Sequence, residues 1–233
     1  MDIPSTGMHQ KIDALNVVQI VNWLRENPQW QFYGAIGGGE MGLNKDWRPS
    51  ALLIGGYDRT TGVLDVVEAD IRARPLNRFI DDLIASQFRY ECLLWVVEMS
   101  GYRQIAMNGL TLESARFGLR IPLRGVKLSR EAPAQRVAAL WPSLNDGLIR
   151  LHKSQTVLTR NLVKFGKFGY RMDAPLALEM LWRAIQGRGI ERSGNPSNFM
   201  PTVTENIEKV LSWKERTITN VAHVMGRNRL SLV

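Results

Sequence analysis

The run Cys92-Leu-Leu-Trp-Val-Val-Glu98 leads six apolar-type residues into one carboxylate, and Met99-Ser-Gly-Tyr then breaks the pattern. A short continuous apolar run reads as a strand buried on both faces. A carboxylate at its exit either reaches solvent where the strand stops or is held by a paired charge or a metal ion, because burying a lone charge is costly. A second acid, Asp173, stands two residues before Pro175, which opens a helix with Leu178, Leu181, Trp182 and Ile185 on one face. Two more acids, Glu40 and Asp46, follow the first strand, Glu40 within the glycine-rich stretch Gly37-Gly-Gly-Glu40-Met-Gly42. The order of the surrounding elements tips Glu98 toward a metal site, and carboxylates suit Mg²⁺ or Mn²⁺.

Other chemistries are poorly supplied. His9, His152 and His223 are scattered, without a His-x₃-His spacing. Ser100 and Ser154 are not read as nucleophiles, since no base is recognisable beside them. Cys92 is the single cysteine and sits in an apolar strand, so it forms no internal disulfide and is expected to be inert, which fits a reducing cytoplasm.

The elements that must position the acids follow from periodicity. Residues 1–29 read as a helical lead-in, stopped by Asn27-Pro28. Trp30–Ile36, Ser50–Gly55 and Val63–Val67 read as a three-strand meander, with the turn-forming Tyr57-Asp-Arg-Thr-Thr-Gly62 between the last two. A helix follows, with Leu76, Phe79, Ile80, Leu83 and Ile84 at helical spacing and Pro75 at its start. The strand ending at Glu98 comes next, then a helix over about 102–117 and a strand Ile121–Val126, which Pro122 assigns to an edge or strand end. A helix through Val137, Leu140, Trp141 and Leu144, a short strand Leu148–Arg150, a helix capped by Ser154 and the helix opened by Pro175 complete the domain, 30–186. Residues 187–233 read as a linker and a helical tail. Trp95, Trp141 and Trp182 fall at core positions, whereas Trp47 lies in a polar loop.

Charge divides the chain. The net charge is +8, but residues 1–115 hold 10 Lys/Arg against 14 Asp/Glu, a net of −4, while residues 116–192 hold 15 against 5, a net of +10. A basic half of this kind suits a polyanion such as nucleic acid, and equally a solvated basic surface. Lys164, Lys167 and Arg171, interleaved with Phe165 and Phe168, lead to Asp173 and read either as a solvated loop with buried aromatics or as a phosphate clamp next to the metal site. No run approaches a membrane span and the N-terminus is not a signal peptide.

The order β-β-β-α-β-α-β-α predicts an α/β fold, an RNase H-like mixed sheet with helices on both faces. Within it, Phe32–Ile36, Ser50–Gly56, Gly62–Asp70, Trp95–Glu98, Arg136–Pro142, Asn145–His152 and Asp173–Trp182 resemble the C-terminal nuclease domain of tailed-phage terminase large subunits. The resemblance covers about residues 30–186. It implies a DNA-packaging nuclease that cuts double-stranded DNA into genome lengths with Mg²⁺ or Mn²⁺, working with other terminase subunits and the phage portal in the host cytoplasm. No G-x-x-x-x-G-K-[ST] occurs, so the chain is not expected to be a complete packaging motor. The resemblance makes Glu98 and Asp173 catalytic metal ligands, Glu40 or Asp46 a displaced third acid, and Arg136, Lys164, Lys167 and Arg171 DNA contacts.

The chain departs from the family at its acids. The family has an Asp directly after the first strand, where this chain has Gly37. It has further acids around Asp173, where this chain has Met172 and Leu176, and a Lys three residues before the Arg that matches Arg136, where this chain has Pro133. Three readings follow: a metal-dependent endonuclease with a depleted two-ion site and weak activity; an inactive or engineered terminase-like domain that binds DNA; and an unrelated α/β enzyme that binds a nucleotide phosphate at Gly37–Gly42.

Overall fold

A computed structural model describes residues 17–38, 49–72, 74–98, 109–115, 118–126, 132–165 and 173–187. The elements are α1 (Val17–Glu26), β1 (Trp30–Gly38), β2 (Pro49–Asp58), β3 (Val63–Ile71), α2 (Leu76–Tyr90), β4 (Leu94–Glu98), β5 (Leu123–Val126), α3 (Pro133–Ala138), α4 (Trp141–Asn145), β6 (Ile149–Leu151), α5 (Thr156–Val163) and α6 (Asp173–Ile185). Residues 109–115 are also helical. Among the described residues no helix is long and apolar enough to cross a membrane.

One six-stranded sheet runs in the order β5-β4-β1-β2-β3-β6. β1, β2 and β3 form the antiparallel meander, and β4 lies parallel to β1 with Ile36 beside Val97. β5 is parallel to β4 and β6 to β3, so each later strand arrives by a crossover. β4 is an interior strand, which is why its residues read as a continuous apolar run. β5 is an edge strand, and Pro122 directly precedes it, where a missing N–H costs no ladder bond.

Alternation along the strands divides the core into two layers. Ala35, Val66, Val96 and Val126 face α3–α6, whose Val137, Leu144, Leu158, Leu178 and Leu181 are buried against them. Phe32, Ile36, Val67, Trp95 and Val97 face the other way, onto Ile20 of α1, Phe79 and Leu83 of α2, and Leu110. Trp95 is fully buried in that second layer because Gly34 beside it has no side chain, and a Cβ there would lie 2.0 Å from the indole ring. Its indole N–H donates to Gln87 Oε1. Trp182 is buried and Trp141 packs against the first layer, as their spacing indicates.

Two local readings are corrected. The segment read as one helix through Val137 and Leu144 is two short helices, α3 and α4, with Pro142 near the start of the second. Ser154 does not cap α5: Gln155 occupies the cap position without a side-chain cap bond. The Gln155 amide instead donates to the Val66 carbonyl oxygen (2.6 Å), tying the start of α5 to β3, while Ser154 Oγ sits 2.7 Å from His152 Nδ1. Ser154 therefore does have an adjacent base, two residues away in an exposed turn, a proximity that chain separation alone does not show.

Cys92 is fully buried, and burial, with the Glu68 carboxylate adding to it, pushes its thiol well above the ordinary range. The thiolate is the reactive form. The folded protein is therefore expected to resist a thiol-specific reagent at pH 8 and to take up one equivalent after unfolding in guanidinium. Stoichiometric labelling of the native protein would refute this.

Candidate active site

The site is built where β1, β4 and α6 meet. Parallel pairing of β1 with β4 runs through Ile36 and Val97, so the next residues, Gly37 and Glu98, are neighbours at the strand ends. Val96 faces the α6 layer, and Glu98, two residues on, shares that face. α6 packs across β1, β2 and β4. Its first residue, Asp173, reaches Gly37 directly: a Cβ on Gly37 would lie 2.4 Å from the Asp173 carbonyl oxygen and 3.0 Å from the Ala51 Cβ. Asp173 is buried, and as the acid in the first turn its charge is favoured by the helix dipole. Glu98 and Asp173 thus lie at one end of the sheet, on either side of Gly37.

Gly37 is more than a position lacking an acid. The absence of a side chain is what allows the start of α6 to close onto β1. A carboxylate attached there would compete for space with the backbone of Asp173.

Arg136 enters the site from α3, which packs on α6. It is only 3% exposed. Its Nε (3.1 Å) and Nη2 (2.6 Å) donate to one oxygen of Glu179, and its Nη1 lies 3.8 Å from Glu98 Oε1. The other Glu179 oxygen takes Arg183 Nη2 at 2.6 Å. Buried cations persist when paired and hydrogen-bonded, and Glu179, 5% exposed, supplies that pairing. Arg136, expected to contact DNA, has its guanidinium committed to carboxylates inside the protein. Glu179 escaped the sequence reading because Leu178, Met180 and Leu181 surround it on a helix buried on most sides. The available signal was its i,i+4 spacing to Arg183.

Of the remaining candidates, Lys164 directly follows α5 and is half-buried. Glu40, Asp46, Trp47, Lys167, Arg171, most of the Gly37–Gly42 loop and the tail beyond Gly187 lie outside the described residues.

Two divalent ions about 4 Å apart need several shared carboxylates to offset their mutual repulsion. Among the described residues no group of three or more His, Cys, Asp or Glu comes together to hold a metal ion. One of the two acids beside Gly37, Glu98, also has the Arg136 guanidinium 3.8 Å away. Glu98 and Asp173 by themselves do not supply the several shared carboxylates that a two-ion centre needs.

The strand order settles the fold. An antiparallel meander β1-β2-β3, extended on the β1 side by parallel β4 and β5 with helices on both faces, is the RNase H-like arrangement. The fold is RNase H-like. No protein-family model and no curated protein matches the chain. Among solved structures, it resembles the HK97 bacteriophage large terminase, with a TM-score of 0.46 and 15% identity over 66% of this chain and 39% of that one. It also resembles the human cytomegalovirus terminase nuclease domain, solved after Mn soaking with an inhibitor bound, at a TM-score of 0.45 and 10% identity over 76% and 93% of the two chains. The fowlpox virus resolvase, solved with Holliday junction DNA, scores 0.42 at 10% identity over 67% and 98%. This chain thus spans about two fifths of the HK97 large terminase.

Proposed function

We propose that this chain is a terminase-type nuclease domain that engages double-stranded DNA of a packaging system, with a depleted cutting centre. The observation that carries the reading is the placement of Glu98 and Asp173 on either side of Gly37, at one end of a nuclease-type sheet. Glu98 and Asp173 are the carboxylates that would act at the scissile phosphate, with Glu40 or Asp46 as the third acid. The paired Arg136 and the close approach at Gly37 both argue for weak cutting. The second reading, a DNA-binding module that does not cut, draws on the same two features.

The basic segment 116–192, with its net charge of +10, supplies the DNA contact through phosphates rather than bases. Lys164, Lys167 and Arg171 stand in sequence just before Asp173, so they are the contacts assigned to the strand being held. Duplex DNA should therefore bind in EDTA, with an affinity that falls steeply between about 50 and 200 mM salt. Replacing Lys164, Lys167 and Arg171 together by Ala should weaken binding and reduce the salt slope. A duplex titration checks both, and no binding at 50 mM salt would defeat the reading, including its non-cutting form.

A further inference from the structure

We infer that Arg136 is a built-in counter-cation for Glu98, and that it makes the centre a poor site for divalent metal in this chain. The inference deepens the proposed function, since it rests on Glu98 and Asp173 being the surviving ligand pair.

The geometry is that of a relay. Arg183 and Arg136 both bind Glu179, one on each carboxylate oxygen. Arg136 spends Nε and Nη2 on Glu179, which leaves Nη1 as the edge turned toward Glu98. Both carboxylates and the Arg136 guanidinium are largely shielded, with side-chain exposures of 12% for Glu98, 5% for Glu179 and 3% for Arg136. Shielding from water strengthens charge interactions in both directions. The guanidinium neutralises Glu98, and it repels any divalent ion that would use the same oxygens. Glu179 limits the effect: by binding Arg136 on two nitrogens, it holds the group at 3.8 Å from Glu98 rather than in direct contact.

Two changes should therefore move metal affinity in opposite directions. Arg136→Met combined with Glu179→Met removes the buried pair without stranding either charge, and Arg183 is exposed enough to be solvated. Mn²⁺ uptake, followed by the paramagnetic resonance signal of free aqueous Mn²⁺ without DNA, should tighten on the order of tenfold or more in this variant. Adding Glu98→Ala should abolish the gain. Glu179→Gln alone keeps the shape but releases Arg136 toward Glu98, and should weaken Mn²⁺ uptake below that of the unaltered chain.

A double variant that folds, as judged by its thermal melt, and binds Mn²⁺ no more tightly than the unaltered chain would overturn the inference. So would a gain that survives Glu98→Ala, or tighter uptake in Glu179→Gln. Duplex binding in EDTA does not enter this titration. Loss of that binding with the Mn²⁺ shifts intact would defeat the proposed function and leave the counter-cation standing.

Discussion

Replacing Gly37 by Asp is expected to destabilise the protein rather than to rebuild its centre. By family resemblance this is the position of the missing first acid, and on sequence alone the substitution looks like a repair. The close approach of α6 reverses that expectation. The new Cβ would meet the Asp173 carbonyl oxygen at 2.4 Å, and that atom belongs to backbone, which cannot swing aside as a side chain can. Either β1 or the start of α6 must shift, and the shift moves Asp173, one of the two acids the substitution is meant to help. Overpacking of this kind costs about 1–3 kcal/mol. For a domain of this size that is on the order of 2–4 °C in Tm per kcal/mol. A thermal melt of Gly37→Asp checks it, and an unchanged Tm together with faster DNA cleavage would show that α6 yields without loss.

A larger loss is expected for Glu179→Ala. This change leaves the Arg136 guanidinium, 3% exposed, without its two hydrogen bonds to Glu179. Breaking a buried pair from one side costs about 3–5 kcal/mol, because the surviving charge stays desolvated. Glu98, at 3.8 Å, offsets part of this by accepting the released cation. Chemical denaturation should show Glu179→Ala to be the most destabilising single change in the site. The double variant with Arg136→Met should recover much of the loss, since neither charge is then stranded. If the single and double variants are equally unstable, the pair is a packing element and not an electrostatic one.

The parts of this molecule that were legible in its sequence are those set by local pattern. The apolar run of β4 announced an interior strand, and the order of meander and crossovers announced the sheet around it. Glu98 was visible because a carboxylate ending such a run stands out against its neighbours. Asp173 was visible because Pro175 marks the helix start behind it. What was not legible depends on long-range contact. Arg136 and Glu179 are 43 residues apart, and nothing local tells a buried arginine from one that faces a duplex. Gly37 read as a lost acid because the family resemblance shows which residue is missing, and not what occupies its space. Ser154 read as a cap because it stands before a helix, whereas the turn directs its hydroxyl to His152.

The central claim is that Glu98 belongs to a nuclease-type centre too depleted to cut well. Nicking of supercoiled plasmid by the unaltered chain, in Mg²⁺ and in Mn²⁺ and beside Glu98→Ala, tests it most directly. Mg²⁺ demands near-ideal octahedral ligands and dehydrates reluctantly, while Mn²⁺ binds sites of this type more tightly. The account predicts little or no cutting in Mg²⁺, with any nicking confined to Mn²⁺ and lost in Glu98→Ala. Vigorous Mg²⁺-dependent cutting by the unaltered chain, or Mn²⁺-dependent nicking that survives Glu98→Ala, would contradict it.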